Sequence, residues 1–372
     1  MLCIWQASGS QLASIPVENV TDVLSLKRHL GSLCGVSRFR QRLLQDGEVL
    51  KDDVQLVAPG DLQLVLLPFC HSSDGHRDSV CKAIARGSVN GVEALLQAPH
   101  DPVALSTRMW TPLVMACLAR SPQIVQLLLE ARAEVDREAQ GQTPLFVAAA
   151  KGSVACSQLL LDSGADKDLA CQRGKTPVAA ATEAGHMGVL RLLLEASASC
   201  DPIRNIEGLP TTPLYLAVVK DRPALVDMLL IARADADRVC ARGNTPLHVA
   251  SEKGLLEAAS LLLQARASTD RVREAGETAL HLAAARGHAG VVQKLLEYRA
   301  DKDMVCASKG ATAMELASAR GHHEVLQLLL GRTLAPMPFE ASAGSAAEPP
   351  ASRKRGPSVF RKPAAKARHA PA

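Results

Sequence analysis

Nine aromatic residues in 372 positions are too few to build the stacked platforms that hold single-stranded nucleic acid. No apolar run approaches the length that crosses a bilayer, and Met1-Leu2-Cys3-Ile4 opens no charged-then-apolar leader. An intracellular protein without a membrane partner is therefore expected, cytoplasmic and/or nuclear. Ten cysteines include no Cys-x-x-Cys pair, and the chain has no phosphate-binding loop, nucleophile elbow or zinc helix motif. Catalytic residues, metal ligands and a cofactor are thus not expected. Charge of one sign is lacking too: 42 Lys and Arg stand against 38 Asp and Glu, a net charge of +4.

What is present is a repeated local instruction. Thr111-Pro112-Leu113, Thr143-Pro144-Leu145, Thr176-Pro177-Val178, Thr212-Pro213-Leu214, Thr245-Pro246-Leu247, Thr278-Ala279-Leu280 and Thr312-Ala313-Met314 follow at intervals of 32, 33, 36, 33, 33 and 34 residues. A Thr hydroxyl accepts from free N–H groups of a first helical turn, and Pro at the next position fixes φ and has no N–H to orphan. Each Thr thus predicts a helix start. Small apolar residues follow, and Gly-His ends the short helix at Gly185-His186, Gly287-His288 and Gly321-His322. A second apolar helix comes next, as at Val291-Val292 with Leu295-Leu296. No single helix pair can bury such a face alone, whereas stacked pairs can.

The pattern resembles the ankyrin repeat over roughly residues 76 to 332, with Asp78 to Leu96 as a divergent first unit that Asp78 would cap. The resemblance implies a mainly α solenoid of about eight antiparallel helix pairs joined by β-hairpin fingers, the fingers and first helices lining a concave face. One departure is systematic. The glycine that follows the second helix is read as kept only at Gly164, with Arg132, Ser197, Arg233, Arg266 and Arg299 in its place. A left-handed non-glycine residue costs roughly 1–2 kcal/mol, which Arg recovers in part against the carbonyl end of the helix.

Residues 1–69 read differently. Met1 to Trp5, a turn at Ser8-Gly9 and a segment from Leu12 to Val17 predict a hairpin, and Val23, Leu26 and Leu30 predict a helix behind Thr21-Asp22. Gln41-Arg42-Leu43-Leu44 before Asp46-Gly47, with Asp61-Leu62-Gln63-Leu64-Val65-Leu66, resembles ubiquitin, implying a small α+β ubiquitin-like β-grasp domain. A free diglycine tail is absent, because Leu66-Leu67 runs into Pro68. The domain is not a conjugated modifier. Leu44 and Val65 match ubiquitin's interaction patch, with Ser8 near its loop position. They form either a docking patch, which would link the chain to ubiquitin-handling machinery, or the surface of an N-terminal cap. Residues 70–77 read as a short linker to repeats spanning 78–332.

Residues 333–372 hold eleven Ala and seven Pro in forty positions with no sustained apolar period, which predicts disorder. They also carry +5, so residues 1–332 come to −1. Arg353-Lys354-Arg355 and Arg361-Lys362 have the form of a two-cluster nuclear signal, or serve nonspecific contact with nucleic acid through the tail alone.

Eight residues after each capping position stand Arg86, Ala119, Lys151, Ala184, Lys220, Lys253, Arg286 and Arg320, six of them basic. Either this ladder meets an acidic partner, or an exposed register simply suits long polar side chains. The interval of 36 lengthens one finger, where Ile203, Ile206 and Leu209 either contact a partner or tuck against the next finger. Cys171, Cys240 and Cys306 recur two repeats apart, or roughly 20 Å, beyond disulfide reach, and are expected as free thiols. His248 and His281 sit within first helices, and His186, His288 and His322 in loops, where a structural role is expected. The expectation is a monomeric, non-catalytic interaction scaffold or adaptor for a protein ligand on the concave face. The alternative is a nuclear regulator that reaches nucleic acid through its tail.

Overall fold

Aspartate in front of an apolar helical period decides the first long element. In the computed structural model, which describes residues 1–68, 74–97, 110–201, 204–206 and 209–331, Asp22 caps α1 (Val23–Cys34) by accepting from the Ser25 N–H, while the Ser25 hydroxyl returns the bond. Two strands precede the helix, β1 (Leu2–Gln6) and β2 (Gln11–Ile15), and three follow it, β3 (Gln41–Gln45), β4 (Glu48–Val49) and β5 (Gly60–Leu66). Their order across the sheet is β2-β1-β5-β3-β4, with β1 and β5 parallel and the other pairs antiparallel. That is the β-grasp expected from the sequence. Asp46 and Gly47, both at positive φ, make the two-residue turn between β3 and β4. Leu2, Ile4, Leu26, Leu30, Leu43, Leu62 and Leu64 close a core between helix and sheet.

Eight helix pairs follow among the described residues. They are α2 (Asp74–Ala85) with α3 (Val89–Leu96), α4 (Pro112–Leu118) with α5 (Pro122–Glu130), α6 (Pro144–Lys151) with α7 (Val154–Asp162), and α8 (Pro177–Ala184) with α9 (Met187–Glu195). After the hairpin β6 (Arg204–Ile206) and β7 (Leu209–Thr211) come α10 (Pro213–Val219) with α11 (Pro223–Ile231), α12 (Pro246–Lys253) with α13 (Leu256–Gln264), and α14 (Ala279–Arg286) with α15 (Ala289–Glu297). A short hairpin of β8 (Val305–Cys306) and β9 (Ala311–Thr312) leads to α16 (Ala313–Ala319) with α17 (His323–Leu329). First helices pack on first helices and second on second, so the repeats share one continuous core. Helices of seven to nine residues are marginal alone, and this packing stabilises them.

All seven Thr residues act as expected. Each side chain accepts the N–H three residues on, from Thr111 with Val114 to Thr312 with Glu315. At Thr245 and Thr278 the box is closed by histidine, not by an acid: His248 Nδ1 accepts from the Thr245 N–H at 3.1 Å and His281 Nδ1 from that of Thr278 at 3.2 Å. Their Nε2 atoms donate to the carbonyls of Arg271 and Met304 in the next finger. Arg132, Ser197, Arg233, Arg266 and Arg299 are indeed left-handed, with φ between 59° and 68°.

Two expectations need correction. The first repeat's leading helix begins at Asp74, four residues inside the expected linker, so Asp78 lies within it as an exposed side chain and caps nothing. Gly331 (φ 72°) also keeps the left-handed position after a second helix, which Gly164 was expected to hold alone; the last helix, α17, is shorter than its counterparts, so its glycine falls off the period.

Candidate interaction surfaces

The Gly-His loops tie successive repeats together. His186, His288 and His322 lie with Nε2 at 3.2, 3.2 and 3.3 Å from the carbonyls of Ala150, Glu252 and Ala285 of the repeat before. Their rings sit over the preceding repeat's glycine, so closely that a Cβ on Gly152 or Gly254 would fall 2.5 Å from the imidazole. Glycine is therefore fixed twice, by φ and by its neighbour. At Gly185 the same space is filled by the guanidinium of Arg222, which stands where other repeats carry histidine. A second tie was not read from the sequence: Asp136, Asp168, Asp201, Asp237 and Asp270 each accept a backbone N–H from a residue 30 to 34 positions later.

The basic register divides in two. Arg86, Lys151, Lys220, Lys253, Arg286 and Arg320 are all exposed, as expected. Yet Lys253 donates to the Val219 carbonyl at 2.7 Å, Arg320 to that of Ala285 at 2.5 Å, and Arg286 pairs with Glu252 at 2.7 Å. These three staple one first helix to the one before. Among the described residues no ion pair or hydrogen bond involves the side chains of Arg86, Lys151 or Lys220.

The fingers form a surface of their own. Backbone bonds join consecutive ones, Gln172 N–H to the Gly141 carbonyl, Glu274 to Arg242, and Ala307 to Gly276. Because side chains alternate along an extended segment, burial of Cys240 and Cys306 turns the preceding residues outward. Val239, Val272 and Val305 thus lie 46%, 54% and 58% exposed at one register of three consecutive fingers. Arg242 and Arg271 beside them are exposed and without a side-chain partner among the described residues, whereas Arg238 lies 3.8 Å from Asp235. Glu277 is buried between Arg273 and Lys309; burial raises its pKa, but the bonds from the two cations more than offset this and leave it lowered. In the long finger Ile206 pairs with Leu209 across the hairpin, and Ile203 lies outside the described residues. The five basic tail residues, Arg353, Lys354, Arg355, Arg361 and Lys362, do so as well.

Charge separates by element. Each stretch from a finger through its first helix, 137–151, 169–184, 202–220, 238–253, 271–286 and 304–320, carries net positive charge. The stretches between them hold the second helices; four are net negative and one is neutral.

The ubiquitin-like unit is docked on the second-helix side of the first two repeats. Arg38, whose side chain is only 3% exposed, reaches Glu93 of α3 at 2.8 Å, Glu130 of α5 at 2.5 Å and Asp52 of its own unit at 3.3 Å. Its guanidinium carbon lies 4.1 Å from the centroid of the Phe39 ring, and Phe39 belongs to the apolar core of the repeats, not to that of the sheet. Arg28 pairs with Glu130 at 2.8 Å, Arg132 donates to the Gly31 carbonyl, and Arg42 to that of Gln97. A cleft of about 640 Å³ opens beside this junction, floored by Val36, Leu129, Val135 and Leu159. Leu44 and Val65 are half-buried on β3 and β5, and Arg42 stands directly opposite Val65. Nothing in the sequence flagged Arg38.

The nine described cysteines are unpaired, and burial pushes the thiols of Cys117, Cys156 and Cys240 upward, keeping them protonated. Among the described residues no group of His, Cys, Asp and Glu is arranged to hold a metal ion, and no helix is long and apolar enough to cross a membrane.

Such repeats define a class, and comparison with known proteins agrees. The ankyrin-repeat family profile, described as three copies, matches residues 80–171, 163–239, 203–273 and 266–335, so the chain belongs to the ankyrin-repeat family. It is 35% identical over 118 residues to "Ankyrin repeat, SAM and basic leucine zipper domain-containing protein 1" of Dasypus novemcinctus, across 30% of this chain and 25% of that protein. It is also 35% identical over 114 residues to "Ankyrin repeat and KH domain-containing protein mask" of Drosophila melanogaster, across 30% of this chain and 3% of that one. The chain thus spans a quarter or less of these relatives. The crystal structure of the human ASB11 ankyrin repeat domain superposes with a TM-score of 0.51 at 26% identity, covering 61% of this chain and all of that one. That of the Bcl-3 ankyrin repeat domain gives 0.53 at 26% identity, covering 59% and 97%. Ankyrin repeats of this kind are protein-interaction scaffolds.

Proposed function

We propose that this chain is a non-catalytic, intracellular scaffold that holds a protein partner across its fingers and first helices, with the ubiquitin-like unit as an N-terminal cap. The organisation assigned is a ubiquitin-like domain over 1–69, repeats up to 332 and a basic tail over 333–372. The observation that carries this reading is the alternation of charge, which leaves the finger and first-helix elements positive and the second helices negative or neutral. Arg86, Lys151 and Lys220, whose side chains make no bond among the described residues, are the residues of the basic register assigned to the partner; Lys253, Arg286 and Arg320 contribute charge while serving as staples. The cap assignment draws on Arg38 and Phe39, which commit one side of the unit to the repeats.

A photo-crosslinking residue placed at Lys151 or Lys220 in living cells is expected to trap a protein that the same probe at Arg191, on second helix α9, does not. Trapping only from Arg191 would overturn the assignment. A second reading has its own support in the tail charge of +5, which suits an import receptor or nucleic acid. Replacing Arg353, Lys354, Arg355, Arg361 and Lys362 by Ala should then move a tagged protein out of the nucleus, and an unchanged distribution counts against it.

A further inference from the structure

Three consecutive fingers present one apolar residue each at the same register, Val239, Val272 and Val305, and all three point to solvent. Fingers bonded backbone to backbone hold that register fixed. Exposed valines scattered singly need no explanation, but a row of them on a rigid edge is a contact surface. Its flanks are cationic: Arg242 and Arg271 are exposed with no side-chain partner among the described residues, and the three stretches that contain these fingers are each net positive. Of the nearby carboxylates, Asp237 and Asp270 accept backbone N–H groups of the following repeat, while Glu274 and Asp303 are exposed, and the stretch that contains Glu274 stays net positive with it counted.

Spacing then constrains the occupant. Stacked helices lie roughly 10 Å apart and an extended chain rises about 3.3 Å per residue, so one rung corresponds to about three residues of a strand laid along the stack. We propose that the fingers before α12, α14 and α16 bind an extended acidic segment of a partner protein with an apolar side chain at about every third position. This inference rests on the scaffold reading above and narrows the partner's chemistry. The apolar side chains seat between the valines, and carboxylates in between meet Arg242 and Arg271. Neighbouring rungs are about one Debye length apart at moderate salt, so the cations act jointly there and lose reach as salt rises.

The test uses the full chain and fluorescence anisotropy. The probe is a labelled peptide repeating Leu-Glu-Asp, compared with a peptide of the same composition whose leucines are clustered and with a single-stranded oligonucleotide of equal charge. The periodic peptide should bind at least about tenfold more tightly than the clustered one, and V239D/V272D/V305D and R242E/R271E should each weaken it at least about tenfold. Arg191→Glu should leave it unchanged, and circular dichroism confirms that every variant is folded. Equal binding of the two peptides, or binding indifferent to both sets of variants, overturns the proposal. Preference for the oligonucleotide does so too, by assigning the cations to nucleic acid. If the peptide fails while crosslinks still form from Lys151 and Lys220, only this inference falls; if the crosslinks also move to Arg191, the scaffold reading falls with it.

Discussion

Replacing Arg38 by Met keeps the aliphatic stem but removes the cation that joins α3 and α5 of the first two repeats to the ubiquitin-like unit. The guanidinium is almost wholly buried and meets three carboxylates. Removing one partner of a buried ion pair costs about 3–5 kcal/mol because the other charge is left without compensation. Here the loss is softened: Glu130 keeps Arg28, Asp52 keeps Lys27, and Glu93 is exposed enough for water to reach it. A loss of about 2–3 kcal/mol is therefore expected, at or just below the bottom of that range. Urea unfolding of the intact chain should show it as a lower midpoint. Hydrogen exchange should show protection falling in α3 and α5 as well as in α1, since Arg38 contacts Glu93 and Glu130 directly and meets α1 through Asp52, which pairs with Lys27. A variant within about 0.5 kcal/mol of the parent, the scale of an ordinary surface change, would refute the claim that this residue fastens the cap. Faster exchange confined to α1 would refute it equally, because the two units would then be folding independently.

Gly254→Ala should destabilise more than Gly164→Ala, by about 2 against 1 kcal/mol, since both sit at positive φ but only the first meets an imidazole; equal midpoint shifts would remove the role of the His288 ring. Arg266→Gly, relieving a left-handed Arg at φ 65°, should raise stability by up to about 1 kcal/mol, and a fall would mean that arginine's contact with the helix end outweighs the strain. Burial, the leading cause, lowers the pKa of His248 and of His281. A folded value below the unfolded one means that the unfolded chain binds more protons in the window between them. Stability should therefore be full above about pH 6.5 and decline as pH falls below it, and a double His→Gln variant should lose that dependence; an unaltered slope would place its origin elsewhere.

The repeat frame was legible because its signals are local. A threonine, a proline and an N–H three residues on lie within one helical turn, and a left-handed arginine betrays itself by occupying glycine's place in the period. The β-grasp of the first unit was implied by the resemblance of its short segments, Gln41 to Leu44 and Asp61 to Leu66, to ubiquitin. Arg38 was not legible because its partners lie 55 and 92 residues away, and Phe39 looked like any apolar residue of the unit that contains it. The basic register was seen but its division was not: whether Lys253 reaches solvent or the Val219 carbonyl depends on how one first helix sits against the last, which no single repeat encodes. The aspartate ties failed for the same reason, with caps written in one repeat and satisfied by the next.

The histidine loops point one way along the chain. Each imidazole leans back onto the carbonyl and glycine of the repeat already made, and none of the three leans forward. A chain leaving the ribosome therefore meets its docking surface before it supplies the group that docks, and the ubiquitin-like unit, made before the repeats, offers them a template. Such a stack is built to grow in the direction of synthesis, like masonry in which every new course carries the mortar for the joint beneath it. Arrested nascent chains ending after α13 should accordingly already protect α10 to α12 from protease, and equal cleavage throughout would speak against growth in that order.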